Sequence, residues 1–356
     1  MKLFALGPVP MYQRTLEIAG KQIPYFRTPE FSEIMLESEK LMKQVLFAPE
    51  NAKVVFLTAS GTAAMEATVM NCFTEQDKVL IIDGGIFGHR FTEICDMHRI
   101  PYDAIHLDFE EVLTEKHLDM YDGKMYTALL VNIHETSTGQ LYDVRLLSEF
   151  CKRNQMYFIV DAISSFLADP YFMEDWGIDA TILSTQKGLA IAPGMSVVTI
   201  SNRLYEEKVL TTPSKTLYLD FRSHIDNQKR GQTPFTPAVN IAYQLNDMLR
   251  SLQEESIEHR LTHMDMIVKD FRCRIADLPI RIPNTPLSNA ATPLLFKDRN
   301  ATIVYETLKE KYDTVLTPCG GNLRDIMVRV GHIGNHYLDE NIDLVDNLRK
   351  VLNCAK

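Results

Sequence analysis

Short apolar runs alternate with longer segments of helical periodicity between about residue 50 and residue 210. Strands covered by helices on both faces are apolar along their whole length, and strands joined by helical crossovers run parallel. The alternation therefore predicts an α/β domain built on a mostly parallel seven-stranded sheet. The predicted strands are 54–58, 79–83, 104–107, 127–132, 157–161, 180–183 and 197–200. The clearest predicted helices between them are 63–73, 90–99 and 144–154.

The last third of the chain has a different pattern. After a proline-containing stretch at 233–237, a long helical pattern runs from Ala238 to about His263, with a further helical segment to Ile275. Strand-like pieces then alternate with helical ones, which is typical of a smaller α+β domain. These pieces are the strands 292–296 and 326–330 and the helices 301–311 and 340–352. We predict an N-terminal segment over 1–15 that packs near the functional site, a large domain over 16–246 and a small domain over 247–356.

Composition narrows the classes of partner. The chain is 46% hydrophobic and 24% charged, which is ordinary for a globular protein, and its formal net charge is −10. Nucleic-acid binding requires concentrated Lys and Arg, so a small-molecule partner is the better prediction. No apolar run reaches the roughly 18 to 20 residues of a membrane span, and the first ten residues lack a signal-peptide pattern, so we expect a cytoplasmic protein. The six cysteines include no C-x-x-C pair, so neither a metal site nor a disulfide framework is predicted.

In open α/β sheets, ligands bind beyond the carboxyl ends of the strands, so we expect ligand-binding residues in the segments that follow each strand. The first is Ala59-Ser60-Gly61-Thr62-Ala63. Small residues before a helix let an anion approach free backbone N–H groups, which makes this a candidate phosphate cup. An ordinary helix cap has the same composition, so both readings stay open.

Two more post-strand segments could contact a planar, polar ligand. In the first, Phe87 lies between Gly85 and Gly88 and could stack on a ring, although it could equally cover the edge of the core. In the second, at 134–139, Thr136 belongs to a cluster of hydroxyl residues that either binds a ligand or forms a turn.

An acid and a lysine follow the next two strands. Asp161 ends an apolar strand, where a buried carboxylate needs a positive or hydrogen-bonding partner unless it merely caps the next turn. Lys187 follows Ser184-Thr185-Gln186, where partial burial would make its amine a nucleophile. A solvated surface lysine is the alternative.

The motifs occur along the chain in a fixed order: the candidate cup, the aromatic residue, the hydroxyl cluster, the acid and the lysine. This order resembles that of one family, and the resemblance covers nearly the whole chain, from Gly7-Pro8-Val9-Pro10 to the motif at 327–334. The chain is similar to the class V aminotransferases of pyridoxal-phosphate (PLP) fold type I, especially the alanine-glyoxylate, serine-pyruvate and 2-aminoethylphosphonate transaminases. The resemblance implies a large PLP-binding domain with a smaller C-terminal domain. It also implies a homodimer whose active site is shared between subunits.

The resemblance implies specific roles at the matching positions. Lys187 would carry the cofactor as a Schiff base and act as the catalytic proton shuttle, while Asp161 would pair with the pyridine nitrogen. Thr136 would hydrogen-bond near the phenolic oxygen, Phe87 would stack on the ring, and Ile163 would lie beneath it. These expectations rest on the family pattern and on no property of the composition.

The phosphate would be held by the cup and by residues from elsewhere in the chain. The expected contacts are Ser60, Gly61, Thr62 and Gln186, joined by Thr236 from the partner subunit. For the substrate, Arg329 would grip a carboxylate through its planar fork, and Gly7 would shape the pocket. A surface salt bridge is the alternative role for Arg329.

The predicted reaction is transfer of an amino group from a small donor of the alanine, serine or 2-aminoethylphosphonate type to a small 2-keto acid such as pyruvate or glyoxylate. The alternative on the same scaffold is a lyase of the cysteine desulfurase type. That reaction requires a nucleophilic thiol near the cofactor, and Cys319 is the candidate. Its sequence context, Thr317-Pro318-Cys319-Gly320-Gly321, is not that of a desulfurase loop.

Overall fold

The computed structural model describes residues 1–354, with side chains through residue 352. The strands are β1 (Lys2–Leu3), β2 (Lys53–Leu57), β3 (Val79–Asp83), β4 (Tyr102–His106), β5 (Ala128–Asn132), β6 (His134–Glu135), β7 (Gln140–Leu141), β8 (Tyr157–Asp161), β9 (Ala180–Ser184), β10 (Ser196–Ile200), β11 (Ile280–Arg281), β12 (Ala291–Phe296), β13 (Thr314–Val315), β14 (Thr317–Pro318) and β15 (Met327–Gly331).

The helices are α1 (Gln13–Ala19), α2 (Pro29–Val45), α3 (Gly61–Cys72), α4 (Ile86–His98), α5 (Glu115–Asp119), α6 (Val144–Arg153), α7 (Asn202–Leu204), α8 (Phe221–Gln228), α9 (Val239–Glu255), α10 (Ile257–Arg274), α11 (Ala301–Tyr312) and α12 (Leu338–Cys354). A π-helical turn follows α7, and a short 3-10 turn precedes β15. Among the described residues, no helix combines the length and the apolar character needed to cross a membrane.

The central sheet has seven strands in the order β2-β10-β9-β8-β5-β3-β4. Successive residues of its strands face opposite apolar clusters: Leu80 and Ile82 of β3 pack in one, Val79 and Ile81 in the other. Both faces are therefore covered by helices, which explains why the strands are apolar throughout. The predicted α/β class and mostly parallel sheet are confirmed, since every predicted strand overlaps an observed one.

One strand runs against the others. β10 pairs antiparallel with both β9 and β2, which agrees with a sheet that is mostly but not wholly parallel, although the sequence did not indicate which strand differs. The connection from Ser184 to Ser196 is too short for a helical crossover, and the chain instead turns back on itself. As a result, this connection lies at the carboxyl edge of the parallel strands.

A second sheet of four antiparallel strands, β11-β12-β15-β14, forms the C-terminal part with α11 and α12. Its apolar cluster includes Leu294 of β12 and Val328 of β15, together with Phe4 from the chain's start. β1 also pairs with β13 of this part. The N-terminal segment thus crosses from the second sheet toward the central one.

The helical connection between the two parts differs from its prediction. α9 ends at Glu255 and α10 begins at Ile257, so the continuous pattern predicted from Ala238 to His263 is broken at Ser256. Ser256 has a φ of 72° and its hydroxyl accepts from the backbone N–H of His259 at 3.2 Å, which caps the new helix.

The domain limits stay a prediction. The boundary between residues 246 and 247 falls inside α9, and Met248, Leu249 and Leu252 beyond it still pack in the core of the central sheet. Of the five cysteines whose side chains are described, four are buried, Cys273 is exposed, and none forms a disulfide. Cys354 lies outside the described side chains.

Candidate active site

A cavity lies at the carboxyl edge of the central sheet, where the segments after β2, β3, β5, β8 and β9 converge. Parallel strands end at the same edge, so residues far apart in sequence meet there. The structure brings together nine of the residues predicted from sequence: Ser60, Gly61, Thr62, Phe87, Thr136, Asp161, Ile163, Gln186 and Lys187.

Lys187 lies in the turn that joins β9 to β10. Burial, together with the positive charge of Arg329, lowers the pKa of its amine to about 8, although the negative charge of Asp161 acts in the opposite direction. Its Nζ donates to the backbone carbonyl of Leu6. A Cβ on Gly7 would come within 2.8 Å of the Lys187 side chain, so the N-terminal segment packs directly on this lysine.

Asp161 ends β8 and is buried. Its Oδ1 accepts from the backbone N–H of Ile163 at 2.8 Å, which is the turn-capping contact considered from the sequence. Burial raises the pKa of the carboxyl to about 7, although the Ile163 contact and the charge of Lys187 act in the opposite direction. Within the described part of the chain, no cationic group lies within salt-bridge distance of Asp161. The carboxylate is therefore largely uncompensated.

The candidate cup begins α3. Ser60 is the N-cap, and its Oγ accepts from Ala63 N–H at 3.4 Å. A Cβ at Gly61 would lie 2.5 Å from Cδ1 of Ile163, so a larger residue here would require the Ile163 side chain to shift. Thr62 is exposed to the cavity side, and its Oγ1 accepts from Nη1 of Arg90 at 3.2 Å.

Phe87 lies in the first turn of α4, which begins at Ile86, four residues earlier than the predicted helix. The buried carboxylate of Glu135 caps this turn by accepting from the N–H groups of Phe87 at 3.4 Å and Gly88 at 2.9 Å. One helical turn later, the guanidinium of Arg90 lies 5.0 Å from the centre of the Phe87 ring. Glu135 therefore holds both the aromatic and the arginine at the cavity.

Thr136 is joined to two polar groups that the sequence analysis did not identify. Its Oγ1 lies 2.7 Å from Oγ of Ser164, and that oxygen lies 2.9 Å from Nδ1 of His134. All three residues are buried and line the cavity. Burial, with the charges of Lys187 and Arg329, lowers the pKa of His134 to about 3, so the ring is neutral.

Gln186 and Ile163 also face the cavity. Gln186 accepts through Oε1 from the hydroxyl of Ser184 at 2.6 Å, which leaves its amide nitrogen for another partner. Ile163 is partly buried and contacts the Gly61 side of the cavity. Both positions agree with the family expectation, but their roles toward a cofactor remain predictions.

Arg329 projects from β15 and is buried. Its Nη1 donates to the carbonyl of Thr136 at 2.6 Å and its Nη2 to that of Pro318 at 2.8 Å, while Nε has no partner. No carboxylate among the described side chains pairs with it, so the alternative of a surface salt bridge was wrong. Arg329 and Cys319 line an adjoining cavity of about 690 Å³ that also reaches Arg90.

Thr236 is a predicted site residue that the structure keeps apart from the others. It is exposed and does not line the cavity of its own chain. An exposed position is compatible with a contact in another subunit, and this role remains a prediction.

Sequence reasoning missed Arg90, Glu135, His134 and Ser164. The predicted helix begins at Arg90, four residues too late. A helix that begins at Ile86 places Arg90 on the same face as Phe87, because the two residues are three positions apart. Glu135 could have been found as an acid inside a hydroxyl cluster. Nothing in the sequence distinguishes His134 or Ser164, because their pairing depends on two separate strands meeting.

Comparison with known proteins identifies relatives of this arrangement. The family model described as "Aminotransferase class-V" matches residues 23–335. A protein named soluble hydrogenase, small subunit, of Synechococcus sp. is 30% identical over 336 residues, covering 92% of this chain and 86% of that protein. The alanine-glyoxylate aminotransferase of Callithrix jacchus is 28% identical over 380 residues, covering 99% of this chain and 88% of that protein.

Solved structures agree with the sequence relatives. An alanine-glyoxylate aminotransferase from Nostoc sp. superimposes with a TM-score of 0.92 at 25% identity, covering 99% of this chain and 96% of that one. An aspartate aminotransferase from Thermus thermophilus gives 0.91 at 25% identity, with 99% of each chain covered. The family model extends over both sheets and over every residue that lines the cavity. The chain therefore belongs to the class V aminotransferase family.

Proposed function

The chain is an aminotransferase, and we propose that it holds PLP on Lys187. The observation that carries this proposal is one cavity with two perturbed groups, an amine whose pKa is lowered to about 8 and a carboxyl whose pKa is raised to about 7. Residues whose pKa values are shifted by burial and by neighbouring charges cluster at functional sites. A lysine and an acid so placed match what a pyridoxal cofactor requires.

The residues present fit this cofactor. The uncompensated carboxylate of Asp161 would gain a cationic partner in a protonated pyridine nitrogen. The N–H groups at the start of α3 suit a phosphate, and the guanidinium of Arg90 adds positive charge beside Thr62. The Phe87 ring provides a stacking surface.

In this proposal, each predicted residue keeps its expected role. Thr136 hydrogen-bonds near the phenolic oxygen, and Ile163 supports the opposite face of the ring. The phosphate contacts are Ser60, Gly61, Thr62 and Gln186, together with Thr236 of a second subunit.

The reaction would use Lys187 twice. PLP, when bound, supplies a sink for the electrons left on the substrate α-carbon. A lowered pKa leaves much of the Lys187 amine neutral near pH 8, so Nζ can first form the link and later accept the α-proton. Asp161, held at the end of β8, maintains positive charge at the far side of the ring.

Arg329 would orient the substrate. Each Nη donates one hydrogen to a carbonyl, so one hydrogen on each Nη and the one on Nε remain for a carboxylate. The carbonyl contacts hold the guanidinium in place before the substrate arrives. Gly7 leaves space beside Lys187 where a larger residue would collide with the lysine side chain.

We propose that the donor is a small amino acid or aminophosphonate, of the alanine, serine or 2-aminoethylphosphonate type, and that the acceptor is glyoxylate or pyruvate. Curated relatives carry the names L-aspartate-glyoxylate, alanine-glyoxylate and (S)-ureidoglycine-glyoxylate aminotransferase or transaminase, which favours glyoxylate. The hydrogenase-subunit name of another relative refers to a different activity and does not alter the chemistry of this cavity.

The lyase alternative is less well supported. Cys319 lines the adjoining cavity together with Arg329, but burial raises the pKa of its thiol although Arg329 acts in the opposite direction. The thiolate is the nucleophile, so a raised pKa weakens this cysteine for sulfur transfer.

Half-reaction assays separate the two activities. Alanine, serine and 2-aminoethylphosphonate are each incubated with the PLP-loaded protein, then glyoxylate or pyruvate is added and the products are quantified. Formation of the matching oxo product (keto acid or phosphonoacetaldehyde) and of glycine or alanine supports the proposal. No product from any donor, together with sulfide release from cysteine, would replace transamination by desulfuration.

A further inference from the structure

A buried chain of three side chains ends at the cavity, and two of its members, Ser164 and His134, have no role in the reaction described above. Thr136, Ser164 and His134 are linked by distances of 2.7 and 2.9 Å. Ser164 could also donate to the backbone carbonyl of His134, but at 3.5 Å this contact is much weaker. Thr136 Oγ1 has no other hydrogen-bond partner within the described residues.

The tautomer of His134 decides the direction of this chain. If Nδ1 carries the ring proton, it donates to Ser164, Ser164 donates to Thr136, and the Thr136 proton is free to point into the cavity. If Nε2 carries it, Ser164 donates to Nδ1 and Thr136 donates to Ser164. Only the first direction offers a donor to a ligand oxygen.

The surroundings favour the proton on Nδ1. Nε2 is buried without a partner, so it holds either an unsatisfied N–H or an unused lone pair. The positive charges that act on His134 come from Lys187, Arg329 and Arg272. A proton on Nδ1 is used in the hydrogen bond to Ser164, whereas a proton on Nε2 would form a buried N–H without an acceptor. The other charged groups that line the cavity are the carboxyl of Asp161 and the guanidinium of Arg90.

We propose that His134 is a positioning residue that, through Ser164, turns the hydroxyl of Thr136 into a hydrogen-bond donor for a negatively charged ligand oxygen. This inference rests on the proposed function, in which that oxygen is the phenolic oxygen of PLP. Three donors in series polarise one another and stabilise the anion more than an isolated hydroxyl does.

The first test measures the tautomer on the cofactor-free protein. Nitrogen-15 NMR of histidine-labelled protein distinguishes a protonated Nδ1 from a protonated Nε2, with His134→Asn used to assign the signal. A proton on Nδ1 supports the proposal, and a proton on Nε2 overturns it. This readout does not depend on whether PLP binds, so it separates failure of this inference from failure of the proposed function.

The second test measures the pH midpoint of the absorption change of PLP linked to Lys187. Removing the donor with His134→Leu raises this midpoint by roughly half a unit to one unit, since the anionic oxygen loses stabilisation. Ser164→Ala removes the hydroxyl that links His134 to Thr136 and produces the same shift. This second variant keeps the test valid if His134→Leu does not fold. His134→Asn, whose amide can replace Nδ1–H, restores the midpoint.

The control is His224→Asn, which alters another buried histidine that does not line the cavity. Its midpoint is unchanged. An unchanged midpoint in both His134→Leu and Ser164→Ala would overturn the proposal, as would equal shifts in His134→Asn and His134→Leu.

Discussion

At the scale of single residues, burial determines how Lys187 reacts. Its pKa is lowered to about 8 because the buried ammonium loses hydration. The neutral amine is the nucleophile, and the neutral fraction grows as pH rises. We predict that the rate at which cofactor-free protein takes up PLP increases with pH and levels off with a midpoint near 8, as followed by absorbance. A midpoint near 10.5, the ordinary lysine value, would contradict this account of the site.

Asp161 should matter for its charge more than for its shape. Asp161→Asn keeps the size of the side chain but cannot compensate a cationic ring, so we predict that turnover falls by about 100-fold or more. Asp169→Asn is the matched control, because Asp169 is also buried but already accepts from Ser288 and Asn289 and does not line the cavity. Steady-state kinetics on both variants provide the comparison. Equal losses would show that Asp161 acts only as a structural carboxyl.

The residues that sequence reasoning identified share one property. Lys187, Asp161 and Thr136 each lie at or just after the end of a strand, so their place at the sheet edge comes from the order of strands alone. His134 could not be found in this way, because its importance depends on a contact with Ser164, which follows a different strand. The residues of a buried hydrogen-bond chain have no characteristic spacing in the sequence.

At the scale of elements, the start of α4 is the feature on which the ring and phosphate contacts depend. Glu135 also accepts from the N–H and the hydroxyl of Ser137 and from the amide of Asn132, so its two oxygens serve five donors. In Glu135→Gln, the new amide group faces N–H donors and leaves them unsatisfied.

We predict that Glu135→Gln lowers the free energy of unfolding by about 1 to 3 kcal/mol and weakens the circular dichroism of bound PLP, since Phe87 loses its fixed position. Glu340→Gln, at the start of α12, alters another helix-capping carboxylate away from the cavity and should leave the PLP signal unchanged. Urea denaturation and visible circular dichroism measure the two effects. An unaltered PLP signal in Glu135→Gln would remove Glu135 from the site.

Two features of the elements could not be predicted from periodicity. β10 has the same apolar character as its parallel neighbours, because a strand buried on both faces reads alike in either direction. Only the short connection after β9 indicates that it turns back. The break at Ser256 was missed since the apolar positions of α9 and α10 continue in similar periods across it, and a positive φ at serine has no sequence signature.

At the scale of the whole molecule, the site depends on three separate parts of the chain. The N-terminal segment places Leu6 and Gly7 against Lys187, the second sheet contributes Arg329, and the central sheet supplies the rest. The two-part architecture follows from the change of pattern along the sequence. The passage of the N-terminal segment between the parts could not be predicted, because its strand β1 has only two residues.

We predict that a second subunit completes each site through Thr236. Thr236→Ala should weaken PLP binding by roughly tenfold, since one hydrogen bond to a charged phosphate is lost. Mixed dimers of a Thr236→Ala chain and a Lys187→Ala chain then test the direction. The site that retains Lys187 receives an intact Thr236 from its partner, so its PLP affinity should return to the wild-type value. Affinity as weak as in the Thr236→Ala homodimer would place the contact within one chain, and a monomer by sedimentation would remove the shared site.

The central claim is that PLP is linked to Lys187, and borohydride reduction tests it most directly. The PLP-loaded protein is reduced, digested and analysed by peptide mass spectrometry, beside Lys187→Ala and a control, Lys309→Ala, that alters an exposed lysine. We predict a reduced pyridoxyl-phosphate adduct on the peptide that contains Lys187 in the wild type and the control, and no such adduct in Lys187→Ala. An adduct on a different lysine, or none on the loaded wild-type protein, would contradict the account.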